Sequence, residues 1–476
     1  MQAPIKADLV VIGGGSGGLS VAAGAAMLGV KTVLFERGEM GGDCLNTGCV
    51  PSKAMIAAGK RAHAFRTADR FGLSNVEPQF DWLKVKAHVH DVIATIAPID
   101  SQERFEGLGV KVVREHARFV GPAAVASESV RVMARRIVVA AGGGPAVPPI
   151  PGLADVPFLT NENIFALNER PDHLIVLGGG PIGMELAQAF RRLGAAVTVI
   201  QAKRCLPKDD PEAAALVVEA LKADGVVIRE GWRAVFVANA GAGVVLDIER
   251  EGGARDRISG SHLLIALGRK VHVHGLDLEK ANVAYTEAGV TVKPTLQSTT
   301  NPRVWAVGDI AGMEKFTHTA GWHAAVFVRN GLFKRSAAAS ASPMPHATYT
   351  DPEVAQVGLT ESAARERFGD KVTITHWKFH ENDRAIAERA THGFGKLVIG
   401  KGGKILGATV VGEGAGDLIQ LPTLAMANDL GVIAFTKYIA PYPTRGELIK
   451  KLASLYYSPF VFGPRMRMLV SVLQRF

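Results

Sequence analysis

Short runs of Val, Ile and Leu alternate with helix-period stretches over much of the chain. That alternation predicts parallel strands covered by helices. Residues 8–12 read as a buried strand, 13–18 as a tight turn, 19–28 as a helix and 31–35 as a second strand closed by Glu36. The same order returns as a strand at 173–177, a turn at 178–183, a helix at 184–193 and a strand at 196–200 closed by Gln201. In each copy the residue after the second strand stands 23 positions beyond the first glycine, Glu36 after Gly13 and Gln201 after Gly178. The pattern predicts an α/β chain with two Rossmann-like dinucleotide-binding units.

Gly- and Pro-rich stretches at 141–152, 267–269 and 342–345 break this order and mark junctions. The expected plan is a first nucleotide unit over 1–150, a second over 151–270, a return to the first over 271–345 and a C-terminal α+β unit over 346–476. In the last, 396–399 reads as a strand and 417–430 as a helix.

Composition narrows the class. With 476 residues, 47% hydrophobic and 21% charged, the chain suits a multi-domain globular enzyme rather than a disordered protein. Its net charge of +9 is spread rather than striped and aromatics are 7%, so no nucleic-acid module is expected. Three cysteines are too few for a disulfide-stapled secreted fold. The first strand follows the start without an apolar leader, and the weakly polar run at 19–30 is too short and too rich in Gly and Ala to span a bilayer. A cytoplasmic protein without a transmembrane segment is the expectation.

Three motifs carry chemistry. Gly13, Gly15 and Gly18 form G-x-G-x-x-G with Ser16 and Gly17 between strand and helix, where backbone can approach a pyrophosphate and helix N–H groups can meet it. Glu36, followed by Arg37, is placed to accept from a ribose hydroxyl. Gly178, Gly180, Pro181, Ile182 and Gly183 repeat the arrangement, but Gln201 stands at the acidic position and Lys203 and Arg204 follow. A neutral amide with nearby cations favours NADPH over NADH, although Lys203 and Arg204 also suit a solvated loop.

The third motif is Cys44 and Cys49 with four residues between them, followed by Val-Pro-Ser-Lys53. Residues 51–60 read as a helix, so Cys49 lies near a helix N-terminus that favours thiolate. A low-pKa thiolate beside a second thiol is an exchange pair. Zinc and inert thiols are the alternatives, but the spacing is not C-x-x-C and no second pair exists, so no metal is expected.

In order, the glycine motif at 13–18, the cysteine block ending at Lys53, the segment 178–185, Val-Gly-Asp309 and the run 349–358 resemble the class I pyridine nucleotide–disulfide oxidoreductases, the family of lipoamide dehydrogenase, glutathione reductase and mercuric reductase. The resemblance spans nearly the whole chain. It implies FAD and a nicotinamide cofactor, with Gly42, Ala117, Ala141, Gly142 and Gly268 among the cofactor positions. Cys49 resembles the thiol beside the flavin, and Cys44 the exposed thiol that exchanges with a small-molecule or protein-borne disulfide. Lys53 resembles a lysine near flavin N5 paired with a glutamate, here Glu185. Asp309 matches the residue that binds the ribityl chain, while His318, Thr319 and Ala320 open a helix facing the isoalloxazine. A homodimer with shared active sites is also implied, in which Tyr442 and Glu447 reach the other subunit's Cys44.

Residues 442–447 depart from the family's His-Pro-x-x-x-Glu: the glutamate remains as Glu447, but Tyr442 replaces the histidine. Tyrosine has a reference pKa of about 10 and is a poor base at neutral pH. Mercuric reductase-like members tolerate this tyrosine but carry a further C-terminal cysteine pair, and no cysteine follows Cys205 here. The expected function is therefore an FAD-dependent oxidoreductase that passes electrons from NAD(P)H, through a Cys44–Cys49 redox disulfide, to a disulfide or another thiol-reactive substrate. The alternatives are a quinone reductase with transfer directly from flavin and a flavin-bound electron-transfer or scaffold subunit. Residues 460–476 mix Arg465, Arg467 and Arg475 with Met, Leu, Val and Phe. The expectation is a tail packed on the protein, with a short amphipathic helix at a membrane surface or a frayed end as alternatives.

Overall fold

The computed structural model describes residues 4–241 and 243–476. Strand Ile5–Ile12 is central in a seven-stranded sheet, and Leu9, Val10 and Val11 are wholly buried. A strand covered on both faces has no solvent side to alternate with, so it reads as an unbroken apolar run. Its parallel neighbours are Thr32–Phe35 and Arg131–Val139. Val304–Ala306 returns from far along the chain to pair with the end of Arg131–Val139. Residues from 7–140 and from 271–339 share one apolar core.

A second, four-stranded parallel sheet runs Val227–Glu230, Ala196–Gln201, His173–Leu177, His262–Ile265. The C-terminal part is a five-stranded antiparallel sheet, with Thr373–Lys378 at one edge and helix Glu447–Val461 packed on it. Among the described residues, no helix is long and apolar enough to cross a membrane.

Both glycine turns end in helices that start earlier than the apolar period predicts, at Ser16 and Pro181. Gly17 and Gly18 lie inside the first turn, where side chains are excluded. A Cβ on Gly18 would lie 1.8 Å from the Gly13 carbonyl oxygen, and one on Gly17 would lie 2.9 Å from Val307. Pro181 needs no hydrogen-bond partner at a helix start. The single helix expected over 417–430 is instead two, Ala415–Leu418 and Gln420–Ala427. Pro422 has no N–H to continue the ladder across the break. The tail also differs from expectation: it forms a helix, Pro464–Leu473, in which no residue is buried.

Buried ions fasten the C-terminal sheet to the second nucleotide unit. Arg192 on helix Pro181–Arg192 binds Asp224 and Asp351, each at 2.8 Å. Lys396, from the buried strand Phe394–Ile399, meets Asp210 at 3.1 Å, Glu212 at 3.0 Å and Glu361 at 3.2 Å. Removing one partner of a buried pair leaves an uncompensated charge and costs about 3–5 kcal/mol. Lys396→Met is therefore expected to lower stability by about that amount in denaturant titrations. Adding Asp210→Asn should recover part of the loss, and equal losses for the single and double variants would show that the burial of Asp210 is not what Lys396 answers.

Candidate active site

Two glycine contacts bring the thiol segment to the first nucleotide loop. Gly41 (φ +87°) and Gly42 (φ +60°) turn the chain into the short helix Gly42–Asn46, which carries Cys44. Left-handed backbone of this kind favours glycine. A Cβ on Gly42 would lie 2.8 Å from the Gly15 Cα, so the two backbones touch. Cys49 is the first residue of helix Cys49–Arg66. Gly59 lets this helix lie against Ala189 of helix Pro181–Arg192, where a Cβ would stand 3.3 Å from the Ala189 backbone.

That packing joins the two helices' polar residues. Lys53, one turn beyond Cys49, places Nζ 2.9 Å from Glu185 Oε2. Glu185 is only 4% exposed, and its other oxygen accepts from the Tyr349 backbone N–H at 2.9 Å. The Lys53 ammonium also sits 4.5 Å above the Tyr349 ring. Burial opposes the charge on Lys53, but Glu185 overrides it and holds the ammonium above its ordinary pKa.

Both Cys44 and Cys49 are free thiols. Cys49 is driven down to about 6, chiefly because Cys44 donates to it. Burial works against this, and Thr317, 3.4 Å away, and Lys53 add to it. The same interaction, with burial, pushes Cys44 up. One sulfur is thus poised as a thiolate and the other as the thiol that serves it.

The first nucleotide loop fits a dinucleotide such as FAD. A Cβ on Gly13 (φ +111°) would lie 2.3 Å from the Ala140 carbonyl oxygen, so only bare backbone is tolerated. Glu36 accepts from the N–H groups of Gly14 at 2.5 Å and Gly38 at 2.6 Å. Glu36, Arg37, Ala117 and Ala141 line one pocket with Gly13 and Phe35. Gly142 (φ +63°) follows at its edge.

The other predicted residues lie as follows. Asp309 is held by Arg269 at 3.3 Å, and Arg269 also binds Asp43 at 3.0 Å, beside Cys44. Thr319 is fully buried, and a Cβ on Gly17 or Gly308 would lie 3.3 Å from the Ala320 methyl. The His318 ring stacks on Phe316 and bonds the Pro345 carbonyl. At the second loop, Gln201 Oε1 accepts from Gly179 N–H at 2.7 Å, the counterpart of Glu36 and Gly14. Gly178 (φ +116°) and Gly268 (φ +118°) take left-handed turns at the adjoining strand ends, while Gly180 caps helix Pro181–Arg192 and Ile182 and Gly183 lie in its first turn. Lys203 is exposed, and Arg204 donates to the carbonyls of Pro207 and Asp209.

Tyr442 and Glu447 stand apart from the cysteines within the chain, among the described residues. The Tyr442 hydroxyl donates to Asp383 at 2.8 Å, and this bond holds the phenol above its ordinary pKa. Thr317, Tyr349, Arg269 and Asp43 join the site without having been singled out for it. Thr317 had one usable signal, its position just before His318 at a helix start; Arg269 and Tyr349 stood in motifs without a role.

The profile described as pyridine nucleotide-disulphide oxidoreductase matches residues 7–325, and that family's dimerisation-domain profile matches 344–453. A mercuric reductase from Streptomyces lividans is 33% identical over 465 residues, covering 96% of this chain and 98% of its own. A dihydrolipoyl dehydrogenase from Thermus scotoductus is 34% identical over 456 residues, covering 94% and 96%. The HOCl-induced flavoprotein disulfide reductase RclA from Escherichia coli superposes with a TM-score of 0.83 over 94% of this chain and 99% of its own, at 24% identity. That likeness is one of fold.

In the reduced protein, Cys49 should gain thiolate absorbance and alkylation rate as pH rises through about 6. Cys44→Ala should move that midpoint up towards an ordinary thiol, and Thr317→Val should move it up by less. An unmoved midpoint in Cys44→Ala would show that Cys44 is not its main stabiliser.

Proposed function

The chain belongs to the pyridine nucleotide–disulphide oxidoreductase family of FAD-dependent enzymes, and on that premise we propose that it reduces a small-molecule or protein-borne disulfide with NADPH through Cys49 and Cys44. The carrying observation is the Cys44–Cys49 pair, with the thiolate held beside Lys53 and Thr317. The first glycine loop with Glu36 would hold FAD, which would supply the hydride-accepting and electron-donating chemistry between nicotinamide and disulfide.

The chain's own residues do the rest. Two electrons and one proton open the Cys44–Cys49 disulfide, leaving Cys49 as thiolate and Cys44 as thiol. Cys44 loses its proton and attacks one substrate sulfur; a mixed disulfide forms and the other sulfur leaves as a thiolate that takes a proton. Cys49 then attacks the Cys44 sulfur, re-forming the intrachain disulfide and releasing the second substrate sulfur as a thiolate that takes a proton from solvent. Lys53 balances negative charge next to Cys49, and Glu185 keeps that cation in place.

The proton on Cys44 needs an acceptor, because its pKa is raised. In a homodimer, consistent with the dimerisation-domain match, Glu447 of the partner subunit would take it. Tyr442 of the partner subunit, its one O–H given to Asp383, would orient the substrate by contact. A division of the chain at 150, 270 and 345 belongs to the same proposal, supported by the core shared between 7–140 and 271–339.

Two observations support NADPH. Gln201 spends its oxygen on the Gly179 N–H, which leaves its amide N–H groups as donors where a carboxylate would repel a phosphate. Arg204 adds a positive charge close by in the chain, its guanidinium held by the Pro207 and Asp209 carbonyls. Gln201→Glu should keep the loop contact but lower kcat/KM for NADPH by roughly 10- to 100-fold, the range of one charge-assisted hydrogen bond. A higher kcat/KM for NADH than for NADPH in the wild type would refute the preference.

The second reading, electron transfer directly from flavin to a quinone, draws on Tyr442 in place of a base. Wild type and Cys49→Ser should be compared against disulfides, a mercuric salt and quinones. We expect disulfide turnover that Cys49→Ser abolishes. Quinone turnover that dominates and survives Cys49→Ser would sink the thiol relay.

A further inference from the structure

We propose that the last helix, Pro464–Leu473, docks in the plane of an anionic lipid surface. Helix Glu447–Val461 anchors this part by burying Leu448, Ile449, Leu452 and Ala453 in the C-terminal core. Beyond Gly463 the chain turns into Pro464–Leu473, and nothing in that helix is buried. Met468 is 69% exposed, Leu473 59% and Phe476 fully so. At 3.6 residues per turn, Met466, Leu469, Val470 and Leu473 share one face. Arg467, Met468 and Ser471 lie on the other, with Arg475 in the turn that follows the helix. Such a helix lays its apolar face into the headgroup boundary and keeps its cations at the phosphates.

Charge identifies the occupant. Residues 448–476 contain Lys450, Lys451, Arg465, Arg467 and Arg475, and no Asp or Glu. Pairing the helix with its own copy would set cations against cations with no side-chain carboxylate to answer them. An anionic bilayer offers both the negative charge and the apolar layer, and the chain's net charge of +9 adds long-range attraction. The helix has 10 residues, well below the roughly 20 that a span requires, so it lies on the surface.

The test is flotation of the full-length flavoprotein with vesicles of phosphatidylcholine alone or mixed with phosphatidylglycerol, at low and high salt, with light scattering in parallel. We expect binding to the mixed vesicles that weakens with salt and no binding to neutral ones. Arg465→Gln with Arg467→Gln should reduce partitioning by roughly 30-fold, at about 1 kcal/mol per cation. Leu469→Glu with Leu473→Glu should abolish it while NAD(P)H oxidation is unchanged, because neither residue touches the core or the cysteine site. Failure to bind either vesicle overturns the proposal. So does an apolar-face variant that still binds, or one that changes the oligomer mass, which would assign the face to a second copy.

Discussion

The Lys53–Glu185 ion pair holds three parts of the chain to one another. Lys53 belongs to the helix that begins with Cys49, Glu185 to the helix after the second glycine turn, and the N–H that completes Glu185 to Tyr349 at the start of the C-terminal sheet. A carboxylate so little exposed is tolerable only when both oxygens are answered, and here each has one partner. The pair therefore fixes the cysteine helix relative to the second nucleotide loop while keeping a cation near Cys49. Its benefit is placement rather than stability, since burying two charges returns little net energy.

The two sulfurs acquire different characters from their mutual interaction. It lowers Cys49 and, with burial, raises Cys44, while Thr317 borders both and Lys53 favours charge on Cys49. Among the described residues no cluster of three or more His, Cys, Asp or Glu is positioned to hold a metal ion. The Arg269 bridge between Asp43 and Asp309 extends the order from the thiols towards the first nucleotide loop.

Periodicity revealed the nucleotide units because their strands are apolar throughout and their turns are nearly all glycine. Strand 173–177 lies where the pattern puts it, and Gln201 and Glu36 occupy equivalent places. Both helices begin three residues before their apolar period, because Ser16-Gly17-Gly18 has no apolar side chain and Pro181-Ile182-Gly183 reads as a turn. Thr317 and Arg269 were illegible for another reason. Their importance comes from residues hundreds or tens of positions away, and no local spacing encodes such meetings. His318 shows the reverse: its motif position suggested a ligand contact, whereas its ring is engaged by Phe316 and Pro345. The tail looked like something to be packed because it is apolar, but apolarity states only that a face wants covering.

Gln201 and Glu36 each give an oxygen to a glycine-loop N–H, and the loop cannot distinguish an amide oxygen from a carboxylate. In Gln201 the terminal nitrogen is free of that duty, and on the proposed preference for NADPH it is the atom that would meet the ribose phosphate. Architecture and selectivity would then be divided between two atoms of one residue. A lineage could exchange one nicotinamide currency for the other through this position without disturbing the scaffold, so electron source and electron destination would be free to evolve on separate schedules.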